Sequence, residues 1–251
     1  IEYKNIKVAI DPWVKGTCFL GGWESIKDLT NDEFNLLNSC DYFFISHSHS
    51  DHCNFENLKT LVKDKKIIIP HFLDFNFSNY IKTGLDYDAD IHEIEIGKRL
   101  SILPDMFFSF LKSGDFRNDT GFLIEINSKN ILSAVDSNNL NSGVTPEKVD
   151  IYLSKFASGA SGFPISFIDY DRETRKKMSK AKANVQKSLL KKDISRIKPN
   201  YFIPYAGFFY PVGEKSITDL ISFNTVNDIK LAFKETKLKI IDPSLTSKIE
   251  I

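Results

Sequence analysis

The chain has 251 residues, 42% of them apolar, enough to bury a full core in one large domain or two small ones. Its 33 basic and 33 acidic residues balance, so composition argues for neither a nucleic acid nor a strongly acidic partner. No apolar run approaches the roughly 20 residues that span a bilayer, so no membrane partner is expected. Cys18, Cys40 and Cys53 form no Cys-x-x-Cys pair, which suits a reducing compartment, and a cytoplasmic location is expected. The chain begins at Ile1 rather than Met, and the expectation is a natural start upstream of it.

Ile6-Lys7-Val8-Ala9-Ile10 reads as a strand ending at Asp11-Pro12-Trp13, followed by a loop with Gly16, Gly21, Gly22 and Trp23. Thr30-Asn31-Asp32-Glu33 has the form of a helix start, with Phe34 and Leu37 on the buried side. Tyr42-Phe43-Phe44-Ile45 predicts a buried strand, and Phe55, Leu58, Leu61 and Val62 share one face of a helix. Ile67-Ile68-Ile69 predicts a short strand stopped by Pro70-His71, and residues 73–80 a helix closed by Gly84. Segments 91–96, 100–110, 121–126 and 131–135 read as consecutive antiparallel strands between turn residues. Ile151-Tyr152-Leu153 adds a strand, residues 171 to 192 a long helix limited by Pro199, and Tyr201-Phe202-Ile203-Pro204 another strand. No repeat or linker composition divides the chain, so one α/β domain over residues 1–251 is expected.

The chemistry is concentrated in His47-Ser48-His49-Ser50-Asp51-His52, which holds three of the five histidines within six residues. It lies on a predicted strand-to-helix turn, where a rigid scaffold presents side chains to an open site. His47 and His49 can point the same way from an extended segment, while the adjacent Asp51 and His52 diverge and can serve a second ion.

His47-x-His49-x-Asp51-His52 resembles the signature of the metallo-β-lactamase fold, a four-layer αββα sandwich with one or two metals along one edge. Asp11-Pro12-Trp13, Gly22-Trp23, Asp119-Thr120, Val135-Asp136, Gly159-Ala160-Ser161-Gly162-Phe163-Pro164 and Ala206-Gly207-Phe208-Phe209 resemble one branch, the metal-binding domain of CMP-N-acetylneuraminate hydroxylase. The resemblance implies metal ligands His47, His49, Asp51 and His52, with Asp136 as a bridging carboxylate. Counting back from Asp119-Thr120, the position that usually supplies a third histidine falls on Asp115. Asp51 and Asp136 are the expected catalytic carboxylates. Gly159, Ser161 and Gly162 of the glycine turn, with His71 and Tyr205, are candidates for substrate contact.

No histidine follows His92, so ligands from later strands must be oxygen. A carboxylate-rich set is harder and more negative than a histidine-rich one, which favours iron, with zinc and manganese as the other candidates. The expected activity is that of a non-haem iron oxygenase acting on an N-acyl sugar or related anionic substrate, with electrons from a partner. The alternatives are a hydrolase of a phosphoester, lactone or amide using a metal-bound hydroxide, and a binding module with a relic site. The hydroxylase family also carries a Rieske domain, and no Cys-x-His pair for such a cluster occurs in this chain. Residues 171–198 hold eleven Lys or Arg against three acidic residues, a local charge of +8 that can steer an anion.

Overall fold

A computed structural model describes residues 1–140, 145–158, 162–245 and 249–250. In chain order the elements are β1 (Glu2–Tyr3), β2 (Ile6–Ile10), β3 (Thr17–Cys18), β4 (Trp23–Ser25), α1 (Asn31–Asn38), β5 (Tyr42–Phe44), α2 (Phe55–Leu61), β6 (Lys66–His71), α3 (Phe77–Leu85) and β7 (Ile91–Glu95). The second half contains β8 (Leu100–Leu103), β9 (Met106–Lys112), β10 (Thr120–Ile126), β11 (Lys129–Ser133), β12 (Ile151–Lys155), α4 (Arg172–Ile197), β13 (Tyr201–Tyr205), β14 (Phe209–Pro211), α5 (Lys215–Thr218), α6 (Val226–Ala232) and β15 (Lys239–Ile240).

Two sheets carry the architecture. One has five strands in the order β1-β2-β5-β6-β7, and the other seven in the order β15-β13-β12-β11-β10-β9-β8. The two-residue period of a strand sends alternate side chains to opposite faces, and here it divides the apolar residues among three cores. Phe43, Ile45, Ile67 and Ile69 pack outward with Leu58 and Leu61 of α2 and Phe77, Ile81 and Leu85 of α3. Phe44 and Ile68 point inward and meet Phe108, Phe110, Phe122, Ile124 and Ile131 of the second sheet. Leu123, Leu132, Tyr152 and Phe202 face out again, against Leu190 and Ile194 of α4 and Ile229 of α6. The result is helices, sheet, sheet, helices: a four-layer αββα sandwich.

Helix starts follow the expected chemistry. Thr30 and Glu33 form a reciprocal capping box on α1, and Asp171 caps α4 by accepting from the Thr174 amide at 2.8 Å. α4 runs to Ile197, past the expected end, and stops where Lys198 turns left-handed (φ 51°) before Pro199. None of the described helices is long and apolar enough to cross a membrane.

Three local expectations are corrected. Pro70 does not end β6, which continues through His71, because Pro70 lies beyond the end of β5 and pairs with Ile94 of β7. Residues 91–96 do not begin an antiparallel run: β7 pairs parallel with β6 in the first sheet, and segment 100–110 splits into the β8–β9 hairpin of the second. Gly84 lies inside α3, where a Cβ would come within 2.2 Å of the Phe55 ring; it permits close approach to α2, and left-handed Asp86 ends the helix.

Candidate metal centre

Both sheets deliver functional side chains to the same edge. Asp11 follows β2, Ser46 and His47 lie just past β5, and Asp119 immediately precedes β10. Asp136 follows β11 by three residues, while Lys155 and Tyr205 end β12 and β13. Thr120 ties the sheets together at this edge, its hydroxyl donating to the Ser46 carbonyl at 2.8 Å. Asp11 and Val135 adopt left-handed backbone, with φ of 45° and 47°. For a β-branched residue such as Val135 that conformation costs about 1–2 kcal/mol and marks a position held by its surroundings.

Hydrogen bonds behind the histidines orient them. Asp11 accepts from the Ser46 amide at 2.7 Å, the Ser46 hydroxyl at 2.6 Å and His52 Nδ1 at 2.9 Å. Because the Ser46 proton goes to Asp11, its oxygen is left to accept from His47 Nδ1 at 2.9 Å. Both imidazoles are thereby turned so that Nε2 faces the opening, as supporting carboxylates do for metal-binding histidines. The following helix is capped by Asn54, which accepts from the Asn57 amide at 3.1 Å and leaves Asp51 free.

Two groups of three ligands lie in front of this support. In the first, His47 Nε2 is 2.8 Å from His49 Nδ1 and 3.9 Å from Asp119 Oδ1. In the second, His52 Nε2 is 3.5 Å from Asp51 Oδ2 and 3.8 Å from Asp136 Oδ2. Asp136 Oδ2 is also 3.9 Å from His49 Nδ1, between the two groups. These separations, 3.9 Å or less, are ones that donors each about 2.0–2.2 Å from a shared ion can have. His52 Nε2 and Asp51 Oδ1 are buried without a hydrogen-bond partner, an arrangement that is costly unless a cation accepts them. The donor set fits one or two metal ions. His47 and His52 are almost fully enclosed, whereas His49 and Asp136 are 40% and 26% exposed and form the open side.

The charges at this edge are strongly coupled. Burial first, and then the neighbouring His52, push His47 well below its ordinary range, so its imidazole is neutral. Burial opposes protonation of His52, but Asp51, Asp11 and Asp136 outweigh it and hold the imidazolium well above its usual range. Burial likewise opposes ionisation of Asp136, yet His49 and His52 keep its carboxylate well below the usual range. The Tyr205 phenol is pushed well upward by burial and by the charges of Asp11, Asp136 and Asp51, so it keeps its proton.

An isothiocyanate hydrolase from Delia radicum gut bacteria matches over 96% of this chain and 91% of its own, with a TM-score of 0.57 at 13% identity. A metallo hydrolase from Ignicoccus hospitalis matches over 96% and 90%, with a TM-score of 0.53 at 15% identity. The chain has the metallo-β-lactamase fold. Its sequence is similar to cytidine monophosphate-N-acetylneuraminic acid hydroxylases, at 31% identity over 219 residues in Danio rerio and 31% over 234 residues in Asterias rubens. These alignments cover 81% and 91% of this chain but only 35% and 36% of the relatives, so the chain spans about a third of their length. No family model matches it.

Within this metallo-β-lactamase fold, His47, His49, Asp51, His52 and Asp136 converge. Asp115 does not join them. Its carboxylate accepts from Arg117 Nε at 3.0 Å, the Arg117 amide at 3.2 Å, Asn138 Nδ2 at 2.9 Å and Ser113 Oγ at 3.0 Å, and it belongs to none of the groups that could hold an ion. The carboxylate grouped with His47 and His49 within reach of a shared ion is Asp119, which is not in the expected ligand set. A lone aspartate carries no ligand signal in the sequence, and only the folded turn before β10 places Asp119 there. His71 is exposed, bonds Glu93 at 2.7 Å and belongs to none of the groups that could hold a metal ion. Gly162 is exposed in a turn closed by the Ser166 amide donating to its carbonyl at 2.7 Å. Gly159 and Ser161 lie outside the described residues.

Proposed function

We propose that this chain carries the metal centre of an oxygenase that hydroxylates an N-acyl sugar or a related anionic substrate, with iron as its resident metal. The observation that carries the reading is Asp119. It gives His47 and His49 a carboxylate companion, the two-histidine, one-carboxylate donor set used by non-haem iron oxygenases. The similarity to CMP-N-acetylneuraminic acid hydroxylases supports this class of chemistry. Iron in such a set supplies the redox step with dioxygen. Replacing one C–H bond by C–OH with O2 consumes two electrons and two protons and releases water, so the reading requires an external electron-transfer partner.

The residues of the chain perform the rest. His49 and Asp136 form the exposed side on which a substrate approaches. Tyr205 retains a phenolic proton beside the carboxylates and can donate it to a substrate oxygen. On α4 the buried side is Ser179, Ala183, Leu190 and Ile194, so most of its basic residues face solvent, as attraction of an anion requires.

The second reading is a metal-dependent hydrolase of a phosphoester, lactone or amide. It is favoured by the position of Asp136 Oδ2, 3.9 Å from His49 Nδ1 and 3.8 Å from His52 Nε2, which suits a carboxylate shared by two ions. Metal analysis of anaerobically purified protein, followed by oxygen uptake with a reductant and an N-acyl sugar nucleotide, separates the two. Iron at stoichiometric level with substrate-dependent oxygen uptake is expected. Zinc at full occupancy, with no iron binding after reconstitution, would refute the oxygenase.

A further inference from the structure

We propose that Arg117, Asp115, Asn138 and Lys155 form a positioning ring that sets the two carboxylates Asp119 and Asp136 and thereby fixes the metal affinity of the centre. The inference rests on the metal-centre reading above and assigns work to residues outside the ligand set. Arg117 Nε donates to Asp115 Oδ2 at 3.0 Å, and Asn138 Nδ2 donates to the same oxygen at 2.9 Å. Lys155 Nζ donates to Asn138 Oδ1 at 3.0 Å and to the main-chain carbonyl of Asp136 at 2.7 Å. Arg117 Nη2 reaches that same carbonyl at 3.4 Å, closing the ring. From the ring, Arg117 Nη1 extends to Asp119 Oδ2 at 2.8 Å.

Two features make this more than a surface network. Both cations grip the Asp136 backbone rather than its side chain, so the turn is fixed while the carboxylate stays available to an ion. That turn needs fixing, because the preceding Val135 is buried and left-handed at φ 47°, a conformation a β-branched residue does not hold unaided. Arg117 also leaves Asp119 Oδ1 on the side of His47 while occupying Oδ2. One guanidinium therefore orients a ligand of each group. The two ring cations further offset the negative charge of Asp51, Asp119 and Asp136.

The test uses Arg117→Gln, Lys155→Met and Lys155→Arg in the full chain. Affinity for Mn2+ and Zn2+ is read by competition with a chelator, the absorption spectrum of the Co2+-loaded protein reports ligand geometry, and the melting temperature of the metal-free protein reports folding. Loss of an outer partner typically weakens metal binding about 10–100-fold. That loss, with a shifted Co2+ spectrum, is expected for Arg117→Gln and Lys155→Met, and Lys155→Arg should recover most of the affinity. A merely structural role would lower the metal-free melting temperature and leave affinity and spectrum unchanged; that result overturns the ring. Should Lys155→Met not fold, Arg117→Gln against Lys155→Arg decides in the same way. If the unaltered protein takes up no ion, the metal-centre reading fails and the ring with it. If it binds ions and folded variants match it, only the ring fails.

Discussion

The sharpest distinction concerns two aspartates four residues apart. Asp119→Asn keeps the side-chain shape but replaces a charged donor by a weak amide oxygen, leaving His47 and His49 as the only strong ligands of their group. The loss should exceed the roughly 10–100-fold typical of outer partners, so one ion per chain disappears. Asp115→Asn instead weakens the Arg117 pair at 2.9 Å, whose side chains are 32% and 23% exposed. A charge-assisted hydrogen bond is worth about 1.5–3 kcal/mol when well shielded. Solvent screening reduces that to about 1 kcal/mol here, a fivefold change in affinity on the order expected for a partly exposed pair. The assay is elemental analysis after gel filtration in metal-free buffer, combined with chelator competition. Asp119→Asn should bind one ion fewer than the unaltered chain, while Asp115→Asn should keep the full complement with slightly weaker affinity. Loss of an ion from Asp115→Asn but not from Asp119→Asn would refute the assignment of ligands.

In metal-free protein, depressed His47 adds stability as pH rises to its unfolded value of 6.5, whereas raised His52 contributes fully below 6.5 and loses that contribution as pH rises through its folded pKa. Its melting temperature should therefore peak near pH 6.5 and the gain on adding metal should grow at higher pH, as the His52 proton is expelled; a metal-free melting temperature climbing steadily to alkaline pH would contradict this. Cys18, Cys40 and Cys53 are all buried, and burial pushes the Cys18 thiol up to about 12, so a thiol reagent at neutral pH should label none of them until the protein is unfolded. Gly121→Ala would place a Cβ 2.4 Å from the Ser133 carbonyl of the adjacent strand. It should destabilise the chain by about 1–3 kcal/mol in a denaturant titration, and an unchanged midpoint would show that β10 and β11 can part at low cost.

Much of the fold was readable because alternation is local. Phe43-Phe44-Ile45 and Ile67-Ile68-Ile69 each show two apolar faces, and the structure divides them between the helical core and the inter-sheet core. The capping residues Thr30 and Asp171 were equally visible, since a cap needs only its own first turn. What was not readable depended on distant partners. Gly84 resembles a helix stop until the Phe55 ring of another helix is placed against it. β7 resembles the start of a meander until it is seen to pair parallel with β6. The histidine run was legible as a ligand source because three imidazoles in six residues carry their own signal. A single carboxylate carries none, and only the β9–β10 turn decides which of Asp115 and Asp119 faces the histidines.

That turn also explains how a buried carboxylate is tolerated beside His47 and His49. Asp119 adds a negative charge to an edge that already contains Asp51 and Asp136. Burial, with the nearby charges of Asp136 and Asp115, holds the Asp119 carboxyl above its ordinary range, and the Arg117 guanidinium at 2.8 Å limits that rise. The compensating cation lies two residues before the ligand, in the pattern Asp115-x-Arg117-x-Asp119, with Asp115 anchoring the arginine from the other side. The five residues act as one unit: ligand, counter-charge and anchor. Without a cation at 117, burial would push the Asp119 carboxyl further toward its protonated form, which coordinates a metal poorly. The arginine is therefore as informative about the oxygen-rich centre as the aspartate it holds.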